Sequence, residues 1–317
     1  MSQLKIRLFG KFSLLCGDRE QECLPSSKAK ELFCYLLLHR DRSHSREVLA
    51  SVLWGDCTTA QSRKYFRQTL WQLHQALKNA PGGQADAMQV DVEHVRLNSE
   101  AEFSLDIAIF EAAFAPVRGV KGEQIGDQQA QALRNAVSLY SGDLLEGWFQ
   151  DWCIYHRERL QNIYLAILDK LMGYSEFHRQ YEDGLSFGER LLRQDSARER
   201  TYFRLMRLHY LAGDRAGALR QFQRCAAALE TELGVKPGER TLQLYEAIRT
   251  DQFRPAILPE SERNSSSLSK PAFSSYFSRL KRLRSLLLKL QHRVEEDILE
   301  VDQALTTRTS PSASPKH

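Results

Sequence analysis

No apolar run in this sequence reaches half of the ~20 residues that a membrane-spanning helix needs. The longest candidates are only "LFCYLLLH" and "SLLLKL". The start, "MSQLKIRLFG", is basic and alternating and has no apolar signal core. Cysteine is sparse and scattered: Cys16, Cys23, Cys34, Cys57, Cys153 and Cys225 include no C-x-x-C pair. That argues against a zinc site and against a disulfide framework, and makes a reducing cytoplasm the expected compartment. There is no glycine-rich phosphate loop, no G-x-S-x-G and no H-E-x-x-H. Without such a constellation no enzyme, catalytic residue, metal or cofactor is expected. His39 and His44 in "HRDRSHS" come nearest to a metal pair and read as a solvated turn. Asp143 and Glu146, beside Gly142 and Gly147, read as turn and cap residues rather than paired carboxylates.

What is present is globular in kind, with 42% hydrophobic and 26% charged residues in a chain of 317, enough for two or three domains. The net charge of +4 conceals an alternation along the chain. Residues 1–99 carry 14 basic and 10 acidic side chains, residues 100–260 carry 20 and 24, and residues 261–317 carry 10 and 6. A basic unit beside an acidic one points to a division of labour.

Leu4, Ile6 and Leu8 alternate with Lys5 and Arg7, and Phe12 and Leu14 follow before "GDRE", so the first 24 residues read as a small antiparallel sheet. Ser26 or Ser27 can cap a helix through Leu32, Phe33, Leu36 and Leu37, and Ser45-Arg46-Glu47 opens a shorter one ending at Trp54-Gly55. A third helix covers "SRKYFRQTLWQLHQALKNA", residues 62–80. A hairpin through Met88, Val90, Val92, Val95 and Leu97 follows a Pro-Gly-Gly break. Sheet, three helices and hairpin is the element order of a winged helix-turn-helix, though other small α+β folds share it.

From Asp106 to Thr250 helical spacing takes over. A shift of 34 residues sets Leu171-Met172 on Leu205-Met206, Gly184-Leu185 on Ala218-Leu219 and Arg190 on Arg224. That period belongs to tetratricopeptide helix pairs, although Gly188 stands where an aromatic is expected. A Pro- and Ser-rich stretch then precedes a last amphipathic helix marked by Leu280, Leu283, Leu287, Leu290, Val294, Ile298, Val301 and Leu305.

The third helix has two faces. Phe66, Leu70, Leu73 and Leu77 share one, and Arg63, Lys64, Arg67, Gln68, Trp71, Gln72 and Gln75 share the other. Arg and Gln can reach guanine and adenine edges, and Lys and Arg neutralise phosphates. No acid occurs between Asp56 and Asp86, whereas a merely solvated face usually mixes in Glu or Asp. Composition alone leaves groove reading and solvated face both open. Arg96 in the hairpin has the same two readings, a DNA contact or an edge-strand arginine.

The blocks "LKIRLFGKFSLL", "KAKELFCYLLLHRDRSHSREVLASVLWGD", "SRKYFRQTLWQLHQAL", "LYSGDLLEGWFQDWCIYHRERL" and "ELGVKPGERTLQLYEAI" together resemble the Streptomyces antibiotic regulatory protein type of transcriptional activator over about residues 3–250. The resemblance implies a winged helix-turn-helix of the response-regulator output type fused to a bacterial transcriptional activator domain. It further implies binding to double-stranded promoter repeats and contact with RNA polymerase or a partner protein. It places the recognition helix at Arg63 to Leu77, and Arg63, Lys64, Arg67, Gln68, Trp71 and Arg96 are the expected DNA contacts. Trp71, Gln72 and His74 depart from the arginine-rich pattern of many members, which detaches this chain from any family binding sequence. The sequence holds neither a receiver domain nor a nucleotide-binding ATPase, so signal input is expected in the helical domain or the tail.

The expected fold class is thus multidomain and mainly α. It runs as an α+β winged helix-turn-helix at 1–99, an all-α tetratricopeptide-like domain at 100–252, a linker at 253–270, a tail helix at 271–305 and a disordered tail at 306–317. The tail helix is basic in its first half and acidic in its second, which suits an antiparallel homodimer. Docking on the acidic middle of the chain competes with that reading, and a membrane surface is a weaker third. The rival function is an interaction scaffold whose winged helix no longer binds DNA.

Overall fold

Our computed structural model describes residues 4–17, 19–21, 23–80, 87–98 and 103–253. The Pro81-Gly82-Gly83 break, the linker beyond residue 253, the tail helix and the closing tail lie outside the described residues. Strands β1 (Leu4–Arg7), β2 (Ser13–Cys16) and β3 (Arg19–Glu20) form the antiparallel sheet that the alternation predicts, with Leu4 and Ile6 buried and Lys5 and Arg7 exposed. Helix α1 (Ser27–Leu38) starts where Ser26 accepts a hydrogen bond from the Ala29 amide at 3.1 Å, satisfying one of the free N–H groups of the first turn. It is buried along most of its length.

Short strand β4 (His44–Ser45) leads into α2 (Arg46–Leu53) and α3 (Thr59–Asn79). Then β5 (Met88–Val90) and β6 (His94–Leu97) form a hairpin, and β4 pairs on its other edge to give a three-stranded antiparallel sheet in the order β4-β6-β5.

Strand β7 (Phe103–Leu105) returns to lie parallel to β1, with Leu4 opposite Phe103 and Ile6 opposite Leu105. It runs directly into α4 (Asp106–Phe114), so the helical region hangs from the first sheet. Asp106, 5% exposed, fixes this junction. One carboxylate oxygen accepts from the Leu8 and Phe9 amides at 2.7 and 2.9 Å, and the other accepts from the Ile107 amide at 2.7 Å. Nearby, Gly10 donates to the Asp143 carbonyl and accepts from the Glu146 amide, both at 2.8 Å. Gly10 holds φ +74° with Ser141 where a Cβ would stand, so a side chain there is both strained and crowded. Asp143 accepts from the Tyr140 hydroxyl at 2.7 Å. The Asp143 carboxylate and the Glu146 amide thus both serve the turn.

The rest is helical: α5 (Asp127–Leu139), α6 (Asp151–Phe177), α7 (Tyr181–Gln194), α8 (Glu199–Leu211), α9 (Arg215–Leu233) and α10 (Glu239–Arg249), each packing on its predecessor. The small residues of the 34-residue repeat sit where helices meet closely. A Cβ on Gly184 would come within 3.0 Å of Leu208, and one on Gly188 within 2.5 Å of Leu205, which is why no aromatic fits at position 188. In the second unit Phe222 stacks on Tyr245 at 4.1 Å. The closest approach to backbone is elsewhere. A Cβ on Gly122 would lie 2.4 Å from the Lys170 carbonyl oxygen and 2.9 Å from the Gly173 Cα, both backbone atoms of α6. Gly122→Ala is expected to cost about 1–3 kcal/mol or more, since backbone cannot step aside as a side chain can. Chemical denaturation of the variant checks this.

The turn after α1 corrects one expectation. His39 and His44 are not a solvated turn: His44 is 5% exposed and its Nε2 donates to the His39 carbonyl at 3.0 Å. The His39 ring lies 4.5 Å from Tyr35 and 4.7 Å from His156 of α6, centroid to centroid, and Tyr35 meets Trp152 at 5.5 Å. Arg40 of the turn and Arg159 of α6 both bind Glu111 of α4 beside this cluster. Burial would raise Glu111, but the two guanidiniums outweigh it and hold the carboxyl below its ordinary range. Burial lowers all three histidines, and His39 reaches about 4 with His156, Arg42 and His44 adding repulsion.

The sign of the pH effect follows. With folded pKa values below the ordinary 6.5, the unfolded chain binds more protons in the interval, so stability is full above pH 6.5 and falls as pH drops toward 4. Melting at pH 7 and pH 5 is expected to differ by on the order of 1 kcal/mol, about 2–4 °C, and by less in His39→Gln.

Candidate nucleic-acid interface

Helix α3 begins at a built N-terminus. The Thr58 amide and hydroxyl both donate to Gln61 Oε1, at 3.4 and 3.1 Å. From there it buries Ser62, Phe66, Thr69, Leu70, Leu73 and Leu77 against α1 and α2, with Phe66 edge-on to Trp54 at 6.4 Å. The helical spacing that buries this stripe turns Arg63, Lys64, Arg67, Gln68 and Trp71 to solvent, and Trp71 keeps 64% of its surface exposed. Gln72 and Gln75 are half-buried.

The exposed side chains do not all face one way. Arg63 and Arg67 line an open groove of about 820 Å³ bounded by the start of α2 and the β5–β6 turn. Arg96, on β6, is exposed but lines a separate depression of about 180 Å³, where its Nε donates to Gln89 Oε1 at 2.7 Å across the hairpin. Lys64, Gln68 and Trp71 line neither.

Two residues of the groove were not singled out from sequence. Arg46 donates through its side chain to the Asp91 and Val92 carbonyls at 3.1 and 3.3 Å, and its amide donates to the Glu93 carbonyl at 2.8 Å. Its guanidinium also lies 6.0 Å from the Phe66 ring centroid, so one arginine ties the hairpin turn to α2 and α3. Within that turn Asp91 accepts from the Glu93 and His94 amides, bonds that lower its carboxyl from the ordinary value. Val92 at the tip is 88% exposed. The second residue is Glu47, in the first turn of α2, whose Oε1 accepts from Arg63 Nη2. The acid missing from α3 in sequence is thus supplied from α2 in space. Contacts across 16 and 45 residues carry no local sequence signal.

Among the described residues no group of three or more His, Cys, Asp or Glu side chains is placed to hold a metal, and no helix is long and apolar enough to cross a membrane. Cys34, Cys153 and Cys225 are buried free thiols, each raised by burial above its ordinary range and correspondingly unreactive.

Residues 105–249 match the family described as the bacterial transcriptional activator domain. The matched segment opens at the last residue of β7 and closes at the last residue of α10, so among the described residues it takes in every helix from α4 onward. Mycobacterium tuberculosis EmbR, solved in complex with a low affinity phosphopeptide, has a similar fold. The TM-score is 0.59 at 18% sequence identity, over 80% of this chain and 67% of that one. No curated protein sequence matches the chain. The matched domain supports a transcriptional activator, and the similarity to EmbR shows the fold alone.

Proposed function

We propose that this protein is a sequence-specific DNA-binding transcriptional regulator whose residues 1–99 act as a winged helix and whose α3 enters the major groove. The observation that carries the reading is the exposed row of Arg63, Lys64, Arg67, Gln68 and Trp71, held rigid by the buried stripe behind it and continuous with an activator domain. Arginine and glutamine in such a row meet base edges, and lysine and arginine meet phosphates. The hairpin serves as the wing, with Arg96 toward the backbone or minor groove. The helices of 100–252, tetratricopeptide-like in period and in their small-residue packing, contact RNA polymerase or a partner protein. The cytoplasm is the compartment of such a regulator, and the tail helix is the candidate for self-association.

The test is a mobility shift of the full chain with duplex DNA from its own upstream region, at moderate salt and with excess competitor DNA. Retention of the specific complex under competition is the expected result. A chain that binds neither duplex is the interaction scaffold instead.

A further inference from the structure

The Arg63–Glu47 pair lies inside the proposed DNA groove, where a carboxylate is out of place for phosphate binding. Phosphates are anions, and an acid beside an arginine cancels the charge that would attract them. The pair also gains little as a stabilising bridge, because its side chains are 56% and 70% exposed. What the geometry does supply is orientation. Glu47 is held in the first turn of α2, where the helix dipole favours a carboxylate, and α2 is pinned by Ala50 and Leu53 in the core. Its Oε1 takes one corner of the guanidinium, at Nη2. Among the described residues Arg63 has no other polar partner, so the remaining N–H groups of the planar fork stay free. A guanidinium neutralised at one corner and fixed in direction suits the two-pronged contact with guanine O6 and N7. Lys64 and Arg67 differ: both are exposed, and neither has an ion-pair partner among the described residues.

We propose that Glu47 is a positioning residue that makes Arg63 a reader of a guanine base, while Lys64 and Arg67 neutralise phosphates. The assignment rests on the DNA-binding reading above. It divides one row of basic side chains into a member that specifies sequence and members that supply charge.

The experiment measures binding of the full chain to a duplex library varied at each base pair of its protected upstream site, at stepped salt concentrations. The unaltered chain is compared with Glu47→Ala, Arg63→Lys, Arg63→Ala and Arg67→Ala, all exposed positions whose folding is checked by circular dichroism. Arg67→Ala is expected to make the log–log salt slope shallower by about 0.9 and to weaken all duplexes alike. Arg63→Ala is expected to lose discrimination of about 5- to 150-fold at one G·C pair, where Arg67→Ala weakens all duplexes alike. Arg63→Lys keeps the charge and loses the fork, so it too loses that discrimination. Glu47→Ala removes both the charge and the acceptor, so Arg63 is released as a free cation and the slope steepens while the same base pair loses discrimination.

An Arg63→Ala chain that weakens all duplexes alike, with no base pair losing discrimination, overturns the division, because Arg63 is then a phosphate contact. A Glu47→Ala chain that keeps full discrimination overturns the positioning role and leaves a bland surface pair. If the unaltered chain binds no duplex in the library, the DNA-binding reading itself fails and the assignment falls with it.

Discussion

Asp106→Ala is expected to lose about 3–5 kcal/mol of stability, the largest effect of any single side chain at the junction. Its carboxylate receives the Leu8, Phe9 and Ile107 amides in a site only 5% exposed, and alanine leaves those donors without an acceptor. A buried donor stranded in this way costs about 1–3 kcal/mol. The loss has a structural consequence beyond its size, because Leu8 and Phe9 continue from β1 and Asp106 continues from β7. Without the carboxylate, the parallel pairing of β1 with β7 loses its clamp, and the helical region loses one of its attachments to the first sheet. Asp106→Asn separates the parts of this cost. Its amide oxygen can keep the Leu8 and Phe9 bonds, while its NH2 faces the Ile107 donor. Burial is the larger influence on the Asp106 carboxyl and raises it above the ordinary value, so removing the charge offsets part of the lost bond. A loss of about 1 kcal/mol is expected for Asn. Denaturant midpoints of the three chains at one pH give the comparison, and similar losses for Ala and Asn would show that charge rather than donor satisfaction matters here.

The second large effect concerns α3. Replacing Lys64 and Arg67 together by Ala is expected to weaken DNA binding on the order of 10²-fold at 0.1 M salt and to reduce the log–log salt slope by about 1.8. Both side chains are exposed and unpaired among the described residues, so folding is expected to change by less than about 0.5 kcal/mol. The combination of intact fold and flattened salt dependence distinguishes a lost phosphate contact from a damaged domain. Fluorescence anisotropy across a salt series measures slope and affinity together.

Local pattern made much of this legible in the sequence. The stripe Phe66, Leu70, Leu73 and Leu77 is buried as its spacing requires, Ser26 caps α1, and the hairpin falls where alternation puts it. Gly184 and Ala218 lie at close helix contacts, as small residues recurring at one period should. What stayed hidden is non-local. Phe103–Leu105 is too short to read as a strand beside a long helical run, and its partner β1 lies about a hundred residues earlier. Nothing near Asp106 in sequence announces the amides of Leu8 and Phe9. His39 and His44 look solvated among arginines until α6 brings Trp152 and His156 against Tyr35 and His39. Glu47 and Arg46 likewise look like the ordinary start of a helix until the fold sets one on Arg63 and the other on the hairpin turn. In the candidate interface, sequence periodicity therefore identified which residues face outward, while the partners that differentiate them came only from the fold.

Guanine N7 lies in the major groove and is blocked by methylation without breaking base pairing, which makes it a direct probe of where α3 sits. The decisive measurement is methylation interference on the chain's own upstream duplex, with bound and free fractions separated and mapped. If α3 occupies the major groove, methylation at one or a few guanines within the protected site excludes those molecules from the bound fraction, and Arg63→Ala abolishes the interference at one of them. Bound and free fractions with identical methylation patterns would contradict major-groove reading by α3, however strongly the protein bound.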